Sequence, residues 1–124
     1  MIFDTHAHLD SEQFEEDFDD IMQNIINKKI SLIVNPGCDL PTSKKSVELS
    51  EKYDFIYSAV GFHPHEAKYM DEEAINEIER LAVSNKKIVS IGEIGLDYYY
   101  DFSPRDVQED VFVRQMELAN KLDL

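Results

Sequence analysis

Cationic side chains are scarce in this sequence: 12 Lys+Arg stand against 26 Asp+Glu, giving a formal net charge of −14 with neutral histidines and a sequence pI near 4.5. That balance excludes nucleic-acid binding through bulk electrostatics, which works by neutralising phosphates and releasing counterions. A phosphate-bearing polymer would have to be drawn by bound metal ions, helix N-termini and a few placed cations. There is one cysteine, Cys38, so no intramolecular disulfide framework exists and a reducing, cytoplasmic setting is expected. No apolar run approaches the roughly 20 residues of a membrane helix, so no membrane partner is expected. The opening residues, Met1-Ile2-Phe3-Asp4-Thr5-His6, carry no basic n-region and no cleavage site, which argues against secretion. Glycine is sparse too, at four residues, and no Gly-rich phosphate turn follows the first apolar run. What is there, 124 residues of which 43% are hydrophobic and 31% charged, suffices for one compact domain and is too little for two.

The sequence repeats one unit four times. Residues 1–3, 32–34, 55–60 and 88–91 are short apolar, β-branched or aromatic runs stopped by turn residues, the pattern of buried parallel strands. Helical patterns lie between them. Phe14, Phe18, Ile21, Met22, Ile25 and Ile26 share one helical face, with acids opposite. Thr42 is placed to cap a helix running through Val47 to Lys52, and Asp71 to cap one with Ala74, Ile75, Ile78, Leu81 and Ala82 as its stripe. Pro104 precedes a last helix whose stripe includes Phe112, Met116, Ala119 and Leu122.

Strands alternating with helices across short loops predict a parallel sheet with right-handed crossovers. Four units are half the count of a (β/α)8 barrel, which takes about 250 residues. The expected fold is α/β: four βα units of a TIM barrel, parallel strands with outer helices, as one domain over residues 1–124. An open doubly wound domain is the alternative, but residues 4–10 stand where its phosphate turn would be. Gly92-Glu93-Ile94-Gly95 supplies two glycines of a dinucleotide pattern and no third.

All four histidines fall in two pairs, His6/His8 and His63/His65, each at the C-terminal end of an expected strand. Residues two apart in a strand point to one face, so His6 and His8 project together at the end of a barrel where active sites form. Two converging imidazoles are a holder for a divalent metal ion. Glu93, directly after Gly92, has two readings: a solvated rim carboxylate, or a metal ligand whose two oxygens bridge two ions. An inward carboxylate needs a cation, which favours the second. Asp4 shares the face of His6 and His8 and can accept a bond from an imidazole N–H or from backbone.

Other side chains carry weaker signals. Tyr98, Tyr99, Tyr100 and Phe102 can stack on unpaired bases, although packing is the commoner use of such a run. Lys44, Lys45, Lys68 and Arg105 follow strands and are the cations on the functional side. Lys28, Lys29, Lys86 and Lys87 precede strands and belong to the opposite face, as complements to helix dipoles. Cys38 reads as a small packed thiol rather than a nucleophile.

Ile2-Phe3-Asp4-Thr5-His6-Ala7-His8-Leu9-Asp10 resembles, position by position, the N-terminal signature of the TatD family of metal-dependent deoxyribonucleases. Val60-Gly61-Phe62-His63-Pro64-His65 is similar to that family's third-strand element, and Gly92-Glu93-Ile94-Gly95-Leu96-Asp97-Tyr98-Tyr99 to its fourth-strand motif. Gln108, Phe112 and Gln115 match the helix that follows. The resemblance implies an amidohydrolase-like TIM barrel with two divalent metal ions, Mg, Mn or Zn, that hydrolyses phosphodiester bonds in DNA. By position it implies His6 and His8 as ligands of one metal, Glu93 as the catalytic bridge to both, and His63 as a contact to the scissile phosphate. It assigns no role to His65.

It also implies two later histidines and an aspartate from the second half of the barrel, beyond Leu124. The 124-residue chain alone is therefore expected to be inactive as a nuclease, and to self-associate or pair with the C-terminal half. Two other classes stand beside the nuclease: a different amidohydrolase-type hydrolase acting on amide, lactone or phosphomonoester bonds, and a non-catalytic binding or assembly module. In a flat sheet ordered 1-2-3-4, the outer strands lie about 14–15 Å apart. A shared site needs ligands that converge on ions roughly 3.5–4 Å apart. Barrel curvature is what would bring Glu93 to His6 and His8.

Overall fold

The computed structural model describes residues 2–124. Four strands, β1 (Ile2–Asp4), β2 (Ile30–Pro36), β3 (Ile56–Val60) and β4 (Ile88–Ile91), form one sheet in the order β1-β2-β3-β4. Every pairing is parallel, with Asp4 beside Ile33, Asn35 beside Ser58 and Val60 beside Ile91. Helices α1 (Phe18–Asn27), α2 (Leu40–Lys52), α3 (Glu72–Ala82) and α4 (Arg105–Leu122) alternate with the strands, and short 3₁₀ segments occupy Glu12–Phe14 and Pro64–Tyr69. Consecutive parallel strands joined by helices are the repeating unit of a barrel wall, as the sequence pattern predicts. No helix among the described residues is long and apolar enough to cross a membrane.

Three local expectations are corrected. The first helix starts at Phe18, leaving Phe14 in a 3₁₀ turn. Glu12, Glu15 and Glu16 would be like-charged neighbours within helical turns, which disfavours helix there. Starting later instead places Asp19 and Asp20 in the first turn, where acids suit the dipole. The cap of α2 is Asp39, not Thr42: the Asp39 carboxylate accepts from Thr42 N–H at 2.8 Å, and Thr42 Oγ1 accepts in turn from Asp39 N–H at 3.0 Å. Finally, α4 buries Gln108, Val111, Gln115 and Leu118, while Met116 faces solvent. Asp71 caps α3 as expected, accepting from Ala74 N–H at 2.8 Å.

Helix α2 lies on the sheet through Ser43, Ser46, Val47 and Ser50. Small side chains allow close approach, and their hydroxyls tie the layers together. Ser46 Oγ donates to Asn35 O at 2.5 Å, and Ser58 Oγ donates to Ser46 O at 2.6 Å. Among the described residues, no buried side-chain nitrogen or oxygen lacks a hydrogen-bond partner. Apolar packing divides into a cluster holding Val60, Phe62, Ile78, Ile91 and Leu118, and a second holding Leu9, Met22, Ile25, Ile33 and Ile56. Lys87, at the opposite end of the sheet, donates to Ser50 O and Tyr53 O at 2.7 Å, neutralising the end of α2.

Candidate metal centre

The segment after β1 keeps strand pairing for one more step, because Ala7 N–H donates to Val34 O at 3.1 Å. The residues flanking Ala7 therefore project together. The rings of His6 and His8 meet edge to face with centroids 5.0 Å apart, and their Nε2 atoms are separated by 3.1 Å. Asn35, fully buried at the end of β2, holds this segment from below: its Oδ1 accepts from Leu9 N–H at 2.6 Å and its Nδ2 donates to Asp10 Oδ1 at 2.9 Å. Asp4 serves the backbone, accepting from His6 N–H at 3.1 Å.

Glu93 reaches the pair because the loop after β2 crosses over the end of β3. Gly37 N–H donates to Ala59 O at 2.9 Å, and Gly37 O accepts from Glu93 N–H at 2.8 Å. A side chain at Gly37 would lie 2.6 Å from Ser43 Cα, so only glycine fits between this loop and α2. On the other side, Gly92 N–H donates to Val60 O at 3.0 Å, and Cys38 O accepts from His63 N–H at 2.8 Å. The separation a flat sheet would impose is closed: Glu93 Oε2 lies 3.3 Å from His6 Nε2 and 3.6 Å from His8 Nε2.

These three atoms form a triangle with edges of 3.1, 3.3 and 3.6 Å. Ligands bound at ~2.0–2.2 Å around a tetrahedral ion are separated by about 3.3–3.6 Å, so the triangle has the size of one tetrahedral face. Two imidazoles, one carboxylate and an open fourth position are the donor count of catalytic zinc sites, and nitrogen donors suit zinc better than magnesium. All three candidate donor atoms lie within 4.8 Å of one another. His6, His8 and Glu93 thus fit a divalent ion.

His63 stands apart from this trio, 3.7 Å from the other oxygen, Glu93 Oε1. Its Nδ1 accepts from His65 N–H at 3.1 Å. A neutral ring whose Nδ1 is an acceptor carries its proton on Nε2, which then can only donate. Burial lowers the pKa of His63, against the pull of Glu93, and keeps the ring neutral. His65 turns away, with Nε2 bonded to Asp97 Oδ2, and that bond together with Tyr100 N–H holds the Asp97 carboxyl below the usual carboxylate range.

Together His6, His8, Cys38, His63, His65, Glu66 and Glu93 line a cleft of about 390 Å³. Burial, with Glu93, Asp10, Asp39 and Glu66 nearby, pushes the Cys38 thiol up to about 12, so it remains protonated. A larger cavity of about 640 Å³ lies against α2 and α3 and contains no histidine.

All four residues singled out for the site, His6, His8, His63 and Glu93, come together. The cations do not: Lys44 pairs with Glu77 at 3.2 Å and Arg105 with Asp101 at 2.7 Å, outside the cleft. Packing, the commoner use of an aromatic run, describes these rings in part: Tyr100 and Phe102 pack on one another and on His65, while Tyr98, Tyr99, Tyr100 and Phe102 all keep an exposed portion. Asn35 and Gly37 carry no site signal in the sequence. An asparagine followed by Pro-Gly at a strand end reads as a turn, and their buried bonding is visible only in three dimensions.

The sequence model of one family, described as TatD related DNase, matches residues 3–124. Over its whole length the chain is 44% identical to YabD of Bacillus subtilis, described as an uncharacterized metal-dependent hydrolase, and covers 48% of it. It is 32% identical over 99% of its length to the 3'-5' ssDNA/RNA exonuclease TatD of Escherichia coli, covering 47% of that protein. The crystal structure of YjjV, a TatD homolog from Escherichia coli, superposes with a TM-score of 0.89 at 27% identity, over 99% of this chain and 48% of that one. The chain spans about half the length of the curated relatives it matches.

Proposed function

Because the chain belongs to the TatD related DNase family, we propose that residues 1–124 supply four of the eight βα units of a metal-dependent hydrolase that cleaves phosphodiester bonds in single-stranded DNA. The observation that carries the reading is the division of Glu93: Oε2 faces the His6 and His8 nitrogens at 3.3 and 3.6 Å, while Oε1 faces His63. His6, His8 and Glu93 would hold one divalent ion, and Oε1 leaves Glu93 able to touch a second. Bound divalent ions supply polarisation of the phosphoryl oxygens and a water of lowered pKa. His63, neutral with its proton on Nε2, donates to a non-bridging oxygen of the scissile phosphate. Asn35 and the Gly37 carbonyl hold the ligands in position, and the Cys38 thiol, staying protonated, takes no part as a nucleophile. The relatives named as ssDNA/RNA exonucleases support a nucleic-acid substrate.

The barrel that contains this chain is expected to degrade single-stranded DNA with Mg²⁺, Mn²⁺ or Zn²⁺, and to lose that activity in EDTA. Glu93→Ala abolishes turnover, because among the described carboxylates of the cleft only Glu93 lies against His6, His8 and His63 together. Turnover of amide or lactone substrates without any DNA degradation would place the site in a different hydrolase class.

A further inference from the structure

The loop after β4 exposes aromatic rings that its own fold could have covered. Tyr99 is 86% exposed, Tyr100 57% and Phe102 54%. The loop is nevertheless fixed. Asp97 Oδ1 accepts from Tyr99 N–H at 2.9 Å and from Tyr100 N–H at 3.1 Å. Gln108, buried on α4, accepts from Asp97 N–H at 2.8 Å and donates to Ser103 O at 2.8 Å. Ser103 Oγ donates to His65 O at 2.9 Å, which joins the loop to the segment after β3. A rigid loop that displays aromatic faces is pre-organised for contact, since the ordering entropy is already spent on folding.

Two features say what the contact is with. The first is continuity with the cleft. Tyr100 and Phe102 stack on one another, centroids 5.2 Å apart and planes at 23°, and both meet the ring of His65 edge-on at 5.6 and 4.8 Å. His65 in turn packs at 4.3 Å against His63, which faces Glu93. The second is charge. Lys68 Nζ donates to Phe102 O at 2.8 Å and, among the described residues, pairs with no carboxylate, so its charge stands beside the aromatic pair. An ammonium with three donors and one carbonyl partner keeps two for a phosphate. Two carboxylates of the loop are occupied as well: Asp97 by His65, and Asp101 by both Arg105 Nε and its NH2 nitrogen at 2.8 and 2.7 Å. Their pairing lessens, at this loop, the repulsion that a chain of −14 presents to a phosphate.

We propose that Tyr100, Phe102 and Lys68 form a nucleotide subsite, in which an unpaired base of a single strand stacks on the Tyr100–Phe102 pair and Lys68 contacts its phosphate. The strand adjoining the scissile bond lies on it while His63 contacts the scissile phosphate, so the subsite rests on the nuclease reading for its purpose but not for its binding. A paired base is stacked on both faces and cannot use such a platform, so the subsite selects single strands.

The test is binding without turnover. A short fluorescein-labelled oligothymidylate and an abasic strand of equal length are titrated by anisotropy against the chain in EDTA. Base stacking of this kind predicts oligothymidylate bound about 5- to 150-fold more tightly than the abasic strand. Tyr100→Leu and Phe102→Leu abolish that preference, and Tyr100→Phe retains it, with circular dichroism confirming the fold of each. Lys68→Gln weakens both strands alike and lowers the salt slope by about one. Equal affinity for the two strands in the parent chain overturns the subsite. So does a Tyr100→Leu variant that changes sedimentation but not strand binding, which assigns the rings to a chain–chain contact. Base-selective binding by a metal-loaded barrel that cleaves no DNA overturns the nuclease reading and leaves the subsite standing.

Discussion

The side chains around Glu93 differ in protonation because their neighbours differ. His63 gives its Nδ1 to a backbone N–H and is held neutral by burial, so it can donate to an anion and is a poor ligand through Nε2. Its replacement, His63→Ala, is expected to lower turnover with little change in metal content. Loss of metal in proportion to rate, read by elemental analysis, would make it a ligand. Cys38 lines the same cleft with the opposite consequence. With its pKa pushed up to about 12 by burial and four carboxylates, almost no thiolate exists at pH 8. Metal-free chain should react with iodoacetamide about 100-fold more slowly at pH 8 than the same chain unfolded in urea, the rate rising steadily with pH. Folded-state alkylation at the unfolded rate would show a thiol free of that environment.

At the scale of elements, the ends of the strands matter more than their middles. Asn35 joins β2 to the segment carrying His8 through Leu9 N–H and Asp10, and its carbonyl receives Ser46 from α2. Asn35→Ala leaves a buried N–H unpaired, which costs about 1–3 kcal/mol in urea denaturation. It should also weaken ion binding roughly 10- to 100-fold, as loss of a ligand's support does. Unchanged affinity would show that the His8 segment holds itself. Much of this was legible in sequence: β-branched runs ended by turn residues located all four strands, and two-residue spacing located both histidine pairs. On helix α4 the expected stripe holds at Ala119 and Leu122, which pack on the core, and fails at Met116, because the buried face includes Gln108 and Gln115, polar residues that periodicity assigns to solvent. Gln115 is buried because it accepts from Phe62 N–H at 2.7 Å and donates to Phe62 O at 3.0 Å, a partner 53 residues away. No local pattern carries that information. The same holds for the crossing of Gly37 to Glu93, which depends on curvature rather than on either segment.

Across the whole molecule, β1 is left uncovered, and β4 buries Ile88 and Ile91 while turning one apolar residue outward. On β1, Ile2 is 54% and Phe3 59% exposed, and Val89 on β4 is exposed as well. Apolar side chains on outer strands, with unpaired backbone groups beside them, favour association with another strand. The chain by itself is expected to self-associate, and more so as salt screens its charge of −14. Sedimentation velocity at rising ionic strength reads this directly, and a monomer at every salt concentration contradicts it. The trio at the mouth is a separate matter, since its geometry is complete within the described residues. Calorimetric titration of Zn²⁺ into EDTA-stripped, dialysed chain tests that claim most directly. One ion per chain is predicted, lost in His6→Ala, His8→Ala and Glu93→Ala and kept in His63→Ala; binding that survives Glu93→Ala and His6→Ala unchanged, or fails in His63→Ala, would contradict it.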